Sequence, residues 1–188
     1  MKQNFFPQQT HFLGVLLPED LETEIEEYRA YMRGAFNCKS GQRTPLHTTL
    51  VPPFRLPSEF STRDIENAIQ KHILPKADFL RFVSKVDGFG AFSERTVFAR
   101  VEPSPKWTAF RDATVSALLE ECPQCTKKDS RPFTPHITIA NRDIPEGAVA
   151  KALSTLGEKE LKADFPVDNI VIFERKNSLW EIASVIEI

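Results

Sequence analysis

The sequence predicts an α+β protein with a duplicated, bilobal fold, in which two antiparallel sheets backed by helices are related by a pseudo-twofold axis around a central cleft. The main observation is that the order strand, helix, loop, strand, helix occurs twice along the chain. The offset between the copies is nearly constant: Val15 and Val101 are 86 residues apart, and His47 and His136 are 89 apart. A constant offset indicates a repeated structural unit.

Composition is that of one globular domain, which we expect to span residues 1–188. Hydrophobic residues make up 41% of the chain and charged residues 27%, and the net charge of -2 excludes broad electrostatic attraction to nucleic acid, so any anion binding must be local. The apolar run at 12–17 is too short to cross a bilayer. We therefore expect a cytoplasmic monomer with no membrane association.

The first copy of the repeat is read from apolar spacing and from helix-start signals. Pro18, Glu19 and Asp20 place acidic side chains at the first turn of a helix, where the helix dipole favours them. The predicted elements are a strand at 11–17, a helix at 18–36 with Leu21, Ile25, Tyr28 and Met32 on one face, a strand containing His47 that Pro52 and Pro53 end, and a helix from Ser61 or Thr62 to about Ile73.

The second copy repeats this order, and further strands complete the sheets. Its predicted elements are a strand at 96–101, a helix from 103–105 to about Cys122, a strand containing His136 that Arg142 and Asp143 end, and a helix from Pro145 to about Leu156. The other predicted strands lie at 79–86, 162–165, 170–173 and 179–188, the last two forming a hairpin around Lys176 and Asn177.

Each copy contains a strand in which a histidine is followed two residues later by a threonine. These are His47 with Thr49 in PLHTTLV, and His136 with Thr138 in TPHITIA. Residues i and i+2 of a strand project to the same side, about 7 Å apart. If the repeat brings the two strands together, two imidazoles and two hydroxyls share one space.

That combination of groups is suited to acid and base chemistry on a phosphate. One imidazole can act as base and the other as acid near neutral pH, and threonine hydroxyls can donate to phosphoryl oxygens. No metal or other cofactor is required. The alternative is that both histidines are satisfied core residues and the threonines ordinary strand formers. The other two histidines, His11 and His72, have no threonine at the same spacing. The two that have one occupy matching places in the repeat, and this favours the functional interpretation.

The paired motifs resemble those of the two-histidine (2H) phosphoesterase superfamily, and in particular its 2'-5' RNA ligase and RNA cyclic phosphodiesterase branch. The resemblance covers nearly the whole chain, from HFLGVLLPEDL through HTTLVPPF and FTPHITIA to IVIFERKNSLWEI. It implies metal-free opening of a 2',3'-cyclic phosphate to a 2'-phosphate, or cleavage and joining of 2'-5' phosphodiesters. It also implies that His136 activates water, His47 protonates the leaving 3'-oxygen, and Thr49 and Thr138 hold the phosphoryl oxygens; the two histidine roles are open to reversal.

Basic and aromatic residues near the motifs are weaker candidates for substrate binding. The loops that enter the two motif strands carry Arg43 in the first and Lys128 and Arg131 in the second, and these form either a phosphate-binding rim or ordinary solvated charge. Phe133 either stacks on a nucleobase or packs in the core. The resemblance implies a basic residue just after the second motif, where Asn141 intervenes before Arg142.

The three cysteines favour a reducing compartment over a disulfide framework, because their number is odd. Cys122 and Cys125 form a lone CPQC, for which a structural or incidental role is favoured over half a zinc site or a redox pair.

Several functions remain open at this point. The expected partner is an RNA 3' end or a small nucleotide. The alternatives are a phosphodiesterase for a non-RNA cyclic phosphate, such as ADP-ribose 1'',2''-cyclic phosphate, and a nucleotide- or RNA-binding module that does not turn over.

Overall fold

The computed structural model describes residues 8–128 and 130–188, and there it shows an antiparallel sheet backed by helices. This confirms the predicted α+β class. The strands are β1 (His11–Leu16), β2 (His47–Phe54), β3 (Phe82–Phe92), β4 (Thr96–Val101), β5 (His136–Asn141), β6 (Lys162–Val167), β7 (Asn169–Lys176) and β8 (Leu179–Glu187). The helices are α1 (Glu19–Phe36), α2 (Thr62–His72), α3 (Ala77–Leu80), α4 (Pro105–Glu121) and α5 (Ala148–Leu156), with a 3-10 turn at Leu74–Lys76.

The prediction of two sheets facing each other across a cleft is wrong, because the strands form one continuous sheet in the order β6-β3-β4-β5-β2-β1-β7-β8. The two motif strands, β2 and β5, are antiparallel neighbours at its centre, paired at Thr48 and Ile137. Pairing satisfies backbone groups that two separate sheets would leave along open edges. Four strands lie on each side of this junction, but the pseudo-twofold duplication itself stays a prediction.

The main core lies between one face of the sheet and the helices. Alternate strand residues such as Leu13, Val15, Ala99, Ile137 and Ile172 are fully buried and belong to one cluster with the helical side chains. The four residues predicted for the inner face of α1 are all buried, as are Ile65, Ala68 and Ile69 of α2. The other sets of alternate residues, which include both histidines, therefore face away from the helices.

The helix starts follow the local sequence signals. Ser61 and Asp64 form a capping box at the start of α2, and the Ser104 hydroxyl accepts a hydrogen bond from the Trp107 amide at the start of α4. The hairpin predicted around Lys176 and Asn177 is present between β7 and β8, and its turn lies at Asn177 and Ser178, which both have positive φ. No helix among the described residues has the length and apolar character needed to cross a membrane.

Three predicted boundaries are corrected. Pro52 and Pro53 do not end β2, because the strand has one extra residue between Val51 and Phe54, opposite His11–Leu13 of β1, and this bulge tolerates the missing amide donors, so that β2 continues to Phe54. The strand predicted at 79–86 begins only at Phe82, after the short helix α3. Helix α5 starts at Ala148, since Gly147 has a left-handed φ of 72°.

Cys122 and Cys125 are joined by a disulfide, whereas the odd number of cysteines favoured a reducing compartment over a disulfide framework. The chain turns tightly after α4, where the Cys125 amide donates to the Cys122 carbonyl oxygen. This places the two Cα atoms 5.5 Å apart, a normal spacing for a disulfide. Cys38 is free and buried. The bond closes the turn at the start of the loop that leads to β5.

Candidate active site

The centre of the site is the junction of β2 and β5, where both motifs lie side by side. Thr48 pairs with Ile137 in an antiparallel register. Extending that register by one residue places His47 opposite Thr138 and Thr49 opposite His136. Each histidine therefore has a threonine next to it on its own strand and another across the junction. The structure thus brings the four motif residues together on one face of the sheet.

The intervening residues point the other way and serve the core. Thr48 and Ile137 are both fully buried against the helices. The two histidines and the two threonines are half-buried, so they are held in place while remaining open on one side. Within the described residues, neither threonine hydroxyl of the motifs has an intramolecular hydrogen-bond partner, and both are free to donate to a ligand.

The two histidines are anchored in the same way. His47 Nδ1 donates to the carbonyl oxygen of Pro45 at 2.7 Å, and His136 Nδ1 donates to that of Thr134 at 2.9 Å. A carbonyl oxygen can only accept, so the hydrogen of the neutral imidazole is on Nδ1. In both rings Nε2 is left with its lone pair, ready to take a proton from a bound group.

Aromatic rings support both imidazoles. The His47 ring lies 4.9 Å from Phe12 and 4.9 Å from Phe173, measured between ring centroids. The His136 ring lies 4.9 Å from Phe92 and 5.3 Å from Phe98. Each imidazole is therefore fixed by two phenylalanines as well as by its backbone hydrogen bond, which limits its rotation.

A glycine beside each histidine makes room for this packing. A Cβ atom at Gly14 would lie 2.8 Å from the Thr48 carbonyl oxygen and 3.4 Å from the His47 ring. A Cβ atom at Gly90 would lie 2.7 Å from the Phe98 ring. At Gly14 the close atom is a backbone oxygen, so a Cβ atom could be accommodated only by moving β2, whereas at Gly90 a Cβ atom would displace the tip of the Phe98 ring.

Burial lowers the pKa of both histidines, but His47 is affected more. The pKa of His47 is lowered to about 4, mainly by desolvation; its hydrogen bond to Pro45 opposes the shift, and the positive charge of Arg29 and the His136 imidazole add to it. Desolvation also lowers the pKa of His136, while its hydrogen bond to Thr134 opposes the shift. Both rings are consequently neutral in the free protein near pH 7.

Arg29 is a part of the site that the sequence did not indicate. Its side chain is 5% exposed, forms an ion pair with Glu26 at 2.9 Å, and donates to the Thr44 carbonyl oxygen at 2.9 Å. Thr44 directly precedes Pro45, the residue that anchors His47. Arg29 thus ties α1 to the segment that holds the imidazole. In the sequence, Arg29 is a basic residue next to the apolar face of a helix, and that pattern does not distinguish a buried arginine from one that is exposed to solvent.

The candidate residues in the loops lie at two opposite ends of β5. At the C-terminal end of β5, Asp143 Oδ2 accepts hydrogen bonds from the backbone amides of Lys39 and Ser40, at 2.6 and 2.7 Å. These bonds connect the loop that contains Arg43 to the residues after β5. Arg142 lies in the same region, exposed and with a φ of 75°. Asp143 therefore has a structural role that sequence reasoning did not find.

Lys128 and Arg131 precede β5 at its other end and are exposed. Phe133 lies 6.1 Å from Trp107 and beneath the Arg111 guanidinium, beside a surface cavity of about 500 Å³. The predicted basic rim is thus divided into two groups, one on each side of the histidines. A substrate-binding role for any of these five loop residues stays a prediction.

Comparison with known proteins identifies the family. The model of the 2'-5' RNA ligase superfamily matches residues 17–179, which include both motifs. The chain belongs to this superfamily. It is accordingly a member of the 2H phosphoesterases, as its paired motifs predicted. No curated protein matches the chain by sequence.

Solved structures of other proteins share the fold. A Thermus thermophilus protein, TT0787, is 18% identical with a TM-score of 0.63, covering 95% of this chain and 97% of its own. Escherichia coli LigT in complex with 3'-AMP is 17% identical with a TM-score of 0.59, covering 96% and 98%. The MHV ns2 PDE domain is 15% identical with a TM-score of 0.58, covering 96% and 99%. At these identities the likeness concerns the fold.

Proposed function

We propose that this 2H phosphoesterase is a metal-independent phosphodiesterase that hydrolyses the 2',3'-cyclic phosphate of an RNA end or nucleotide to a 2'-phosphate. The observation that carries the proposal is the central pairing of β2 and β5, which sets two Nδ1-anchored imidazoles and two unpaired threonine hydroxyls on one face. The complexes of LigT with 3'-AMP, NADP+ and ATP support a nucleotide as substrate.

The reaction needs one proton acceptor and one proton donor on opposite sides of the phosphorus. A neutral imidazole takes a proton from water through Nε2 as the water oxygen bonds to phosphorus. The bond between phosphorus and the 3'-oxygen breaks, and the second imidazole, protonated, donates its Nε2 proton to that oxygen. The products are a 2'-phosphate and a 3'-hydroxyl, and the two histidines have exchanged protonation states.

The surroundings of the histidines favour His47 as the base and His136 as the acid. The resemblance to the family implied the opposite assignment. His47 has its pKa lowered to about 4 and lies near the Arg29 charge, so it is held neutral and cannot readily be the donor. His136 has no such cation among the causes that lower its pKa. The anionic phosphate raises the pKa of an imidazole that contacts it, which lets His136 carry the proton that it donates.

The threonines stabilise the charge that develops on phosphorus oxygens. Extension of the Thr48–Ile137 register puts Thr49 across from His136 and Thr138 across from His47, so the two hydroxyls are placed diagonally about the junction. Two neutral donors suit a pentacoordinate phosphorane, whose equatorial oxygens carry more charge than those of the substrate.

The test is hydrolysis of a substrate panel by the purified protein with EDTA present. The panel contains nucleoside 2',3'-cyclic phosphates, ADP-ribose 1'',2''-cyclic phosphate and 2'-5' oligoadenylate. We expect the 2',3'-cyclic phosphates to be turned over with a 2'-phosphate as product, and His47→Ala or His136→Ala to abolish it. His72→Ala is the matched control, because His72 pairs with Glu120 and Glu121 away from the motifs.

Three outcomes would contradict the proposal. Full activity in either motif variant would exclude the two-histidine mechanism. Activity that disappears in EDTA would indicate a metal. Nucleotide binding without turnover of any substrate would favour the non-catalytic module.

A further inference from the structure

A small aromatic cluster extends from His47 toward the β7–β8 hairpin, on the face of the sheet opposite to the helices. Phe12, Val171 and Phe173 form a buried cluster separate from the main core, and Trp180 packs against it. The Trp180 ring lies 4.9 Å from Phe12, edge to face, and Phe12 lies 4.9 Å from His47. Two ring contacts therefore connect Trp180 to the candidate base.

Trp180 differs from the other members of this cluster because it is only half-buried. Phe12 is 3% exposed and Phe173 is fully buried, so both serve as a floor. Ile182, two residues after Trp180 on the same side of β8, is 43% exposed. The cluster thus ends in a partly open apolar surface next to the histidines, with an indole ring as its largest member.

A guanidinium lies directly beside that ring. Arg175 pairs with Trp180 across the hairpin, and its Cζ atom lies 5.8 Å from the Trp180 ring centroid. Its Nε atom is buried, and among the described residues it has no hydrogen-bond partner. A buried N–H group without a partner is unusual in a folded protein and points to a missing acceptor.

The neighbouring charges do not supply this acceptor. Glu174 forms an ion pair with Lys176 at 3.1 Å, and both alternate with Arg175 along β7, so they project to the other side of the sheet. Arg175 is left on the site face with donors directed toward no acidic residue of the described chain. A planar guanidinium is a strong donor to phosphate and also stacks on aromatic rings.

We propose that Trp180 and Arg175 form a nucleoside-binding subsite, in which the base stacks on the indole and an anionic or carbonyl oxygen of the same nucleotide accepts from the guanidinium. The inference rests on the proposed function, and it assigns the substrate's nucleoside to the His47 side of the junction. A phosphate at the histidines and a base at Trp180 are separated by the ring contacts through Phe12, a spacing that a ribose bridges. The substrate class is a nucleotide, and not a cyclic phosphate of a simple polyol.

The kinetic test compares a substrate with a base and one without. Adenosine 2',3'-cyclic phosphate and glycerol 1,2-cyclic phosphate carry the same reacting group, but only the first has a base. We expect Trp180→Ala and Arg175→Gln each to raise the KM for the adenosine substrate about tenfold or more, the usual range for loss of a base stack, with kcat changed less than about twofold. Turnover of the glycerol substrate should stay at the wild-type level.

Two control variants keep this test specific. Trp180→Phe retains an aromatic ring and should recover most of the affinity. Lys176→Gln removes the same charge one residue further on, from the other side of the sheet, and should leave both substrates unaffected. An equal loss on both substrates in Trp180→Ala and Arg175→Gln would indicate a structural effect and overturn the inference, and so would an effect of Lys176→Gln as large as that of Arg175→Gln.

A binding measurement separates this inference from the proposed function. Calorimetric titration with adenosine 2'-monophosphate and with inorganic phosphate needs no turnover. If the wild type hydrolyses no substrate but binds the nucleotide more tightly than phosphate, and Trp180→Ala abolishes the difference, the subsite holds and the proposed function fails. Equal affinity for the nucleotide in wild type and Trp180→Ala, or no binding of it at all, overturns the subsite.

Discussion

The His47 half and the His136 half of the site share their construction but differ in their surroundings. In both halves Nδ1 is anchored to the carbonyl two residues earlier, two phenylalanines contact the ring, and a nearby glycine makes room. The His47 half adds a buried arginine and two buried phenylalanines, whereas Phe92 beside His136 is 40% exposed. In the proposed mechanism, equivalent geometry in unequal electrostatic settings lets two identical side chains take opposite roles.

The largest expected effect concerns those roles. Removing either imidazole should lower kcat for a nucleoside 2',3'-cyclic phosphate by about 10²- to 10⁴-fold, the usual contribution of acid or base catalysis. A p-nitrophenyl ester of a nucleoside 3'-phosphate has a leaving group that needs no proton. With that substrate, His136→Ala should keep most of the wild-type rate, while His47→Ala stays inactive. The reverse pattern would make His136 the base.

The threonines give the second largest effect. Thr49→Val and Thr138→Val preserve the side-chain shape and remove only the hydroxyl. Each should lower kcat by about 10- to 100-fold with a smaller change in KM, because the donor acts mainly on the charge of the transition state. Thr48→Val, on the buried side of β2, is the matched control and should not lower kcat. A change confined to KM in the first two variants would indicate ground-state binding only.

A third prediction concerns the His47 half alone: the lowered pKa of His47 should make the free energy of unfolding depend on pH. In the unfolded chain the imidazole binds a proton below its ordinary pKa of about 6.5, but in the folded protein only near pH 4. Its contribution to stability is therefore present above pH 6.5 and is lost as the pH falls toward 4, by at most about 3 kcal/mol.

Urea unfolding at pH 7 and pH 4.5 measures this loss. The wild type should lose more stability between the two pH values than His47→Gln, and Arg29→Met should reduce the loss by raising the pKa of His47. The comparison is made between proteins at the same pH, so that the titration of the carboxyl groups cancels. Identical losses in the wild type and His47→Gln would show that His47 titrates normally.

The smallest expected difference concerns the two glycines. Gly14→Ala forces a Cβ atom against the backbone carbonyl of Thr48, which can move only with β2. Gly90→Ala presses on the tip of the Phe98 ring, which can rotate. We expect losses in the free energy of unfolding of about 2 kcal/mol and 1 kcal/mol respectively, within the range for overpacking. Thermal and urea unfolding would check this, and equal losses would show that β2 yields as easily as a side chain.

Much of the fold was predictable because it depends on local patterns. The inner faces of α1 and α2 follow from the spacing of apolar residues, and the hairpin at Asn177 follows from turn chemistry. The boundaries that failed depend on a neighbour. Pro52 stays within β2 because the strand bulges there and resumes its pairing with β1 at Phe54, and that pairing depends on the neighbouring strand.

The sequence by itself determined the family, through the resemblance of its paired motifs, and most of the elements and the two motifs with His47, Thr49, His136 and Thr138, because strand alternation and apolar spacing are local and periodic. Only the tertiary structure decided that the motif strands pair within one sheet, that Arg29 lies next to the anchor of His47, and that Arg175 meets Trp180 beside the site. The physical reason is that strand pairing, burial of a charge and its effect on a distant pKa depend on which segments fold against each other, and no local pattern records that.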